Sequence, residues 1–435
     1  MIFEALPASG PLFGTIRVPG DKSISHRAVL FAAMADGTSR LTGVLDSADV
    51  RSTMGAAAAL GAAIELVAVC DDGLDVTVRG WGQRGPHQSA DVIDCGNSGT
   101  TCRLLMGLLA PWRLRTTLDG DASLRRRPMC RVTDPLTAMG AHFTTTDGHL
   151  PLIVEGAPLR ALRYESPVAS AQVKTAVLIA GLGAQGVTTV IEPAPSRDHT
   201  ERLLPAFGVG VGRDTDTLSC WVSGPAVLTA SDVAVPADPS SAAFIVGAAV
   251  TVPGSQVTLR DVALNPTRTG FVRVLERMGA RVETVVERAA GAEPTGTIVA
   301  RYSEGLHGTV VRADEAPSLI DEIPLLAVAA CSARGLTRFE GVVELRVKES
   351  DRLSAVADGL MRLGATVRAG DDWLEVEGPT ELHGACLPSL GDHRLAMAWA
   401  VAALRADAPV EIPTWEVVEV SYPRFAADLA SLAPR

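Results

Sequence analysis

The sequence predicts an α/β protein of two similar lobes, with buried helices and outer sheets. Three observations carry this. VPGDKSISHRAVLFAAMADG, beginning at Val18, recurs in outline as VPADPSSAAFIVGAAVTVPG, beginning at Val235: Val-Pro-x-Asp-x-Ser, an apolar helical run, then a glycine. A finer repeat puts Gly-Ala or Gly-Val after Leu60, Met139, Phe207, Met278 and Leu363, each time between a helical stretch and a strand-like run. Glycine there suits a helix C-cap, and five copies imply three α/β units per half, the last of them incomplete. Finally, STMGAAAALGAA and HRLAMAWAVAALRA are dense in alanine without a wide polar face and belong inside a domain, whereas VTTVIE and WLEVEG alternate as strands do.

At 435 residues the chain exceeds one ordinary core and divides into domains. The lobe connections fall where the half-repeats begin, near Pro19-Gly20 and Pro236-Ala237, which puts Lys22 at a hinge beside an interlobe cleft where ligands commonly bind. A net charge of −11 gives no global attraction to nucleic acid or anionic membrane, so an anionic ligand needs a local cluster of cations. MIFEALPASG lacks the basic start and apolar stretch of a signal peptide, and uncharged runs such as Ala242 to Val252 are too short to span a bilayer. A cytoplasmic protein is expected. The seven cysteines include no C-x-x-C pair and no zinc spacing, which predicts reduced, mostly buried thiols and no metal.

Along the chain, the cations are the informative residues. Only three are lysine, Lys22, Lys174 and Lys348, against 36 arginines among the 39 basic residues. Lysine is the cation able to release a proton near neutral pH. None of the three follows glycine, which excludes a P-loop. In the first repeat, Pro-Gly leads into Asp21, a helix cap, and then into Lys22, Ser23, His26 and Arg27 in the first turns. IDCGNSGTTCRL (93 to 104) is either a plain capped turn or a loop whose amides face an anion, with Arg103 in the helix that follows. SLRRRPMCR gathers Arg125, Arg126, Arg127 and Arg131 without an acid. Such arginines either splay into water or surround an anion. GLGAQG (181 to 186) matches a dinucleotide motif in letters only, because a helix precedes it and a strand follows. In RVKESDRL (346 to 353) a helix would place Lys348 and Arg352 on one face at i and i+4 with Glu349 beside them. GDHRLAMA (391 to 398) sets Asp392, His393 and Arg394 at the head of a buried helix.

Taken in order, VPGDKSISHR, GNSGTTCR, RRRP, SAQVK, PSRDHTE, LIDEIP, RVKESDRL and GDHR resemble the 5-enolpyruvylshikimate-3-phosphate synthases over the whole chain. The resemblance implies the enolpyruvyl transferase fold: two lobes of three βαβαββ units each, residues 1–20 plus 236–435 forming one and 21–235 the other, with the active site in the interlobe cleft. It implies transfer of the enolpyruvyl group of phosphoenolpyruvate to the 5-hydroxyl of shikimate 3-phosphate, in a monomer without cofactor, nucleic acid or membrane. By motif, Lys22, Ser23, Arg27, Ser170, Gln172, Ser196, Asp321 and Lys348 would hold shikimate 3-phosphate. Lys22, Gly99, Arg127, Gln172, Arg352 and Arg394 would hold phosphoenolpyruvate. Asp321, Glu349 and Lys22 would move protons, since a carboxylate among cations stays ionised while a lysine among cations has its pKa lowered. The resemblance also implies inhibition by glyphosate at the phosphoenolpyruvate position, with its room set by Gly99. This chain departs from many members at Ala171, where a second serine is common, and at Val420, where a lysine is common. The sister enzymes acting on a UDP-amino sugar usually start the first helix with Lys-Asn and lack KESDR, unlike Lys22-Ser23 and Lys348 to Arg352 here.

Overall fold

Five four-stranded sheets of one topology, and a two-stranded sixth, make up the strands of the described residues. The structure is a computed structural model describing residues 1–70, 73–288 and 293–434. In each four-stranded sheet an edge strand lies parallel to its neighbour, and the remaining strands continue antiparallel. Ile93–Asp94, Arg115–Asp119, His149–Glu155 and His142–Thr146 form one such sheet. With the helices Gly99–Leu109 and Cys130–Met139 they trace a βαβαββ unit. Arg163–Glu165 through Ser219–Gly224 repeat it, as do Val310–Val311 through Trp373–Gly378.

Two further sheets are completed by strands distant in sequence. Val233–Ala234 lies parallel to Thr38–Val44, and Phe13–Ile16 lies parallel to Gln256–Ala263. Among the described residues the chain therefore divides into two compact units: Met1–Pro19 with the chain from Pro236 on, and Gly20–Val235, to which Glu293 also belongs. The incomplete repeat is the pair Ile2–Ala5 and Val410–Pro413, antiparallel, beside the helix His393–Ala403.

Each unit has its own apolar core. Every residue of Pro239–Thr251 and of Ile323–Ala330 is buried, as expected of helices apolar on all sides. Ala48–Ala59 corrects that expectation, because Arg51, Gly55, Ala58 and Ala59 are exposed and only one face of this alanine-rich helix packs. Alanine is compatible with either environment, so its density alone does not report burial. The five repeated glycines do end helices: Gly61, Gly140, Gly208, Gly279 and Gly364 have φ of 103°, 120°, 81°, 88° and 93°, a region closed to most side chains. GLGAQG joins the helix Ala171–Gly181 to the strand Gly186–Ile191, a helix-to-strand turn. All seven cysteines are free, four of them buried and Cys70, Cys130 and Cys386 exposed. Among the described residues no helix is long and apolar enough to cross a membrane.

Candidate active site

In the unit Gly20–Val235, the helix Lys22–Met34 begins as its sequence requires, with the Asp21 carboxylate accepting from Ile24 N at 2.8 Å. Its first turn carries Lys22 and Ser23. Lys22 Nζ lies 2.5 Å from Asp49 Oδ2, a carboxylate partner that the motif alone did not indicate. Arg27, one turn on, is 2% exposed. Its Nε donates to Thr200 Oγ1 and its Nη2 to Thr175 Oγ1, both at 2.8 Å, while Nη1 donates to Ser23 O at 2.9 Å. A longer bond from Nη2 reaches Ala171 O at 3.5 Å. Four of the five guanidinium N–H groups are thus engaged among the described residues, and Arg27 ties the helix start to Ala171–Gly181 and His199–Leu203. Burial lowers its pKa to about 10, against the pull of Glu201 and Asp21. It remains a cation at neutral pH.

Around Gly99 the same unit builds a second cationic position. Ser98 caps the helix Gly99–Leu109, accepting from Thr101 N at 3.1 Å. A Cβ placed on Gly99 would meet Arg103 Nη1 at 2.8 Å and Arg127 Nη1 at 3.2 Å, so the ends of both guanidinium groups flank the bare Cα. Arg103 Nη1 also donates to Gln172 Oε1 and Gln172 Nε2 to Thr100 Oγ1, each at 2.8 Å, and Arg127 Nη2 donates to Asn97 Oδ1 at 3.1 Å. A helix N-terminus with two flanking arginines suits a carboxylate or phosphate. Arg103, noted in the sequence beside this loop but given no substrate role there, belongs with the site; its place four residues after Gly99, on the same helical face, was the available signal. Ser170 caps Ala171–Gly181 by accepting from Val173 N at 3.4 Å. Ser196 is buried with its hydroxyl unpaired among the described residues. The third lysine, Lys174, is structural: it is buried between Glu192 at 2.7 Å and Glu201 at 2.8 Å, and these carboxylates outweigh burial and raise its pKa.

In the unit that contains Pro236 onward, Asp321 lies just ahead of the helix Ile323–Ala330 and is 8% exposed. Its Oδ1 accepts from Arg352 Nη1 at 3.1 Å and lies 3.5 Å from Lys348 Nζ, and its Oδ2 is 3.6 Å from Arg394 Nη2. Arg352, fully buried, also bonds Glu349 Oε2 at 2.6 Å and Asp392 Oδ2 at 2.8 Å. Burial opposes its charge, but Asp392, Glu349 and Asp321 outweigh burial and raise its pKa. Arg394 is the looser cation, with Nη1 contacts of 3.4 Å to Asp321 O and 3.5 Å to Glu322 Oε1. Asp392 serves twice, capping His393–Ala403 through Arg394 N at 2.9 Å and pairing with Arg352. Its second role was hidden behind the cap reading.

The expected helical face at Lys348 and Arg352 is corrected. Lys348 is extended, following the 3-10 turn Val343–Val347, and the helix starts only at Arg352 with Asp351 as its cap. Asp351 accepts from Ser354 N at 3.2 Å, which favours a helix start there and leaves Lys348 free to reach Asp321.

Each unit by itself thus gathers its share of the candidates: Lys22, Ser23, Arg27, Gly99, Arg127, Ser170, Gln172 and Ser196 in one, and Asp321, Lys348, Glu349, Arg352 and Arg394 in the other. The family described as EPSP synthase (3-phosphoshikimate 1-carboxyvinyltransferase) matches residues 6–429. A 3-phosphoshikimate 1-carboxyvinyltransferase of Halorhodospira halophila is 51% identical over 425 residues, covering 97% of this chain and 94% of that protein. One of Thermus thermophilus is 48% identical over 430 residues, covering 98% of each. Among solved structures, an EPSP synthase from Acinetobacter baumannii matches with a TM-score of 0.88 and 40% identity over 99% of this chain and 98% of that one. The enolpyruvyl transferase NikO from Streptomyces tendae, with a TM-score of 0.78 and 20% identity over 99% and 97%, shares the fold.

Proposed function

The chain belongs to the EPSP synthase (3-phosphoshikimate 1-carboxyvinyltransferase) family, and from that premise we propose which of its residues carry the reaction. It transfers the enolpyruvyl group of phosphoenolpyruvate to shikimate 3-phosphate in aromatic amino-acid biosynthesis.

Addition requires the 5-hydroxyl of shikimate 3-phosphate to lose a proton while C3 of phosphoenolpyruvate gains one, giving a tetrahedral intermediate. Elimination then returns a C3 proton and expels phosphate. In our scheme Lys22, Ser23, Arg27, Ser170, Gln172, Ser196 and Lys348 hold shikimate 3-phosphate. Gly99, Gln172, Arg127, Arg352 and Arg394 hold phosphoenolpyruvate together with Lys22, so that charge from both units is gathered on one pair of substrates. Asp321 accepts the hydroxyl proton. The observation that carries this assignment is the Asp321 carboxylate set among Arg352, Lys348 and Arg394 at 3.1 to 3.6 Å, cations that orient it and bind anions beside it. Glu349 and Lys22 exchange protons at C3. The Lys22 ammonium is held in place by Asp49 at 2.5 Å. Arg103, through Gln172, positions the side chain that touches both substrates.

No step of this scheme calls on a metal or an organic cofactor, and the enzyme works as a cytoplasmic monomer without nucleic acid or membrane. A net charge of −11 gives no global attraction to nucleic acid or anionic membrane, in keeping with a small-molecule enzyme. The test is Asp321→Asn, which keeps the shape of the side chain and removes its basicity. Calorimetric affinity for shikimate 3-phosphate should persist while turnover falls by about 100-fold or more, the usual scale for losing a positioned base. Turnover within a few-fold of wild type removes Asp321 from the mechanism.

A further inference from the structure

The helix start assigned to shikimate 3-phosphate and the glycine loop assigned to phosphoenolpyruvate are joined by buried hydrogen bonds that the reaction scheme leaves unused. His26 Nδ1 lies 2.6 Å from Thr53 Oγ1, Thr53 Oγ1 lies 2.5 Å from Thr101 Oγ1, and Thr101 Oγ1 lies 2.7 Å from Ser98 Oγ. All four side chains are fully buried. His26 stands on Lys22–Met34, one turn from Lys22; Thr53 on Ala48–Ala59; Ser98 and Thr101 form the capped first turn that includes Gly99. The backbone carbonyl of Asp49, whose carboxylate pairs with Lys22, sits 3.4 Å from both threonine hydroxyls.

Proton counting gives the chain a direction. Ser98 Oγ already accepts the Thr101 N–H and also accepts the Thr101 hydroxyl proton, so Thr53 donates to Thr101 and His26 Nδ1 donates to Thr53. His26 Nε2 is then left as a buried acceptor with no partner among the described residues. A histidine kept for packing alone would be replaced by an apolar side chain without that cost. Its ring is held neutral, because burial first and then Lys22 and Arg27 oppose the imidazolium.

We propose that His26, Thr53, Thr101 and Ser98 form a positioning relay that fixes the Gly99 helix start against the Lys22 helix start, so that phosphoenolpyruvate is bound on a frame set by the shikimate 3-phosphate position. The proposal rests on the substrate positions assigned above. The relay touches no reacting atom; it acts through Ser98 and Gly99 on one side and through Lys22 and Asp49 on the other.

The test compares Thr53→Val, which keeps the shape and removes the hydroxyl, with Thr53→Ser, which keeps the hydroxyl. With saturating shikimate 3-phosphate, Thr53→Val should raise KM for phosphoenolpyruvate about 5- to 30-fold, the scale of one broken buried hydrogen bond, and Thr53→Ser should restore it. The calorimetric Kd for shikimate 3-phosphate should move by less than about twofold, and kcat should stay close to wild type. A KM unchanged in Thr53→Val overturns the relay. So does equal loss in both variants, or an equal fall in affinity for both substrates, since either would show a packing role. Imidazole nitrogen NMR on the wild type supplies a readout independent of turnover: His26 should be neutral with its proton on Nδ1, and a proton on Nε2 would contradict the direction of the chain. A wild type that releases no phosphate would instead break the substrate assignment itself.

Discussion

A methyl group added at Gly99 would press on Arg103 Nη1 at 2.8 Å and Arg127 Nη1 at 3.2 Å before it met any ligand. Both contacts are the far ends of flexible side chains, so Gly99→Ala should fold, with the guanidinium groups displaced toward the space a ligand needs. Glyphosate presents the same two anionic ends as phosphoenolpyruvate over a longer span and should lose more. Overpacking of about 1 to 3 kcal/mol corresponds to a rise of roughly 5- to 150-fold in its inhibition constant, with a smaller rise in KM for phosphoenolpyruvate. Equal inhibition constants in wild type and variant would show that Gly99 does not line the site. His26 makes a separate prediction. Its pKa in the folded protein lies well below the ordinary 6.5, so below about pH 6.5 the unfolded chain binds a proton that the native chain does not. Unfolding therefore becomes easier as pH falls through that range, by at most about 1.4 kcal/mol per pH unit for this one group, and is indifferent to it above. Thermal unfolding from pH 7 to pH 5 should show Tm falling, and His26→Gln should flatten part of that slope. An unchanged slope would mean that His26 is protonated in the fold.

At the scale of the element, helix ends were the most legible feature and short irregular turns the least. Asp21 and Asp238 both cap, accepting from Ile24 N and Ser240 N, as the Val-Pro-x-Asp-x-Ser repeat implies. The repeat also hides a difference. One copy starts its helix with Lys22 and Ser23, while in the other Ser240 is bonded to the protein's own Glu322 and Asp238 to the buried Arg268. The polar side chains that begin the second copy bond to the protein itself, and it carries no candidate residue. Lys348 was misplaced because i, i+4 spacing presumes a helix, whereas Asp351 starts one only after Lys348 has passed. Two glycines separate backbone strain from packing. Gly140 has φ of 120° and its nearest neighbour to an added Cβ is Pro158 O at 3.4 Å, so the cost of Gly140→Ala is chiefly the strain of a side chain held at positive φ, about 1 to 2 kcal/mol. Gly55 is exposed inside Ala48–Ala59 with nothing within 4 Å, so Gly55→Ala should gain about 0.5 to 1 kcal/mol. The two Tm shifts should have opposite sign. A Tm unchanged or raised in Gly140→Ala would contradict the reading of Gly140 as a helix terminator, and one lowered in Gly55→Ala the reading of Gly55.

At the scale of the whole molecule, the repeats made the α/β class and the unit count visible because a β-sheet edge, a helix and a terminating glycine recur together. The strand exchange was less visible: Phe13–Ile16 and Val233–Ala234 are short, and no local pattern says which sheet a four- or two-residue strand will join. The site followed the same rule. Motif residues were readable, but the Asp49 partner of Lys22 and the pairings of Arg103 with Gln172 and of Asp392 with Arg352 became evident only when folding brought separate segments together. The central claim is that two sets of charged residues, one from each unit, act on one pair of substrates. Its most direct measurement is phosphate release from phosphoenolpyruvate with and without shikimate 3-phosphate, in wild type and in two variants, Arg127→Ala and Arg394→Ala, that each remove a cation from one unit. Release should require shikimate 3-phosphate, should not be supported by UDP-N-acetylglucosamine, and should fall steeply in both variants. Release without the acceptor, or a variant in either unit that turns over like wild type, would contradict the account.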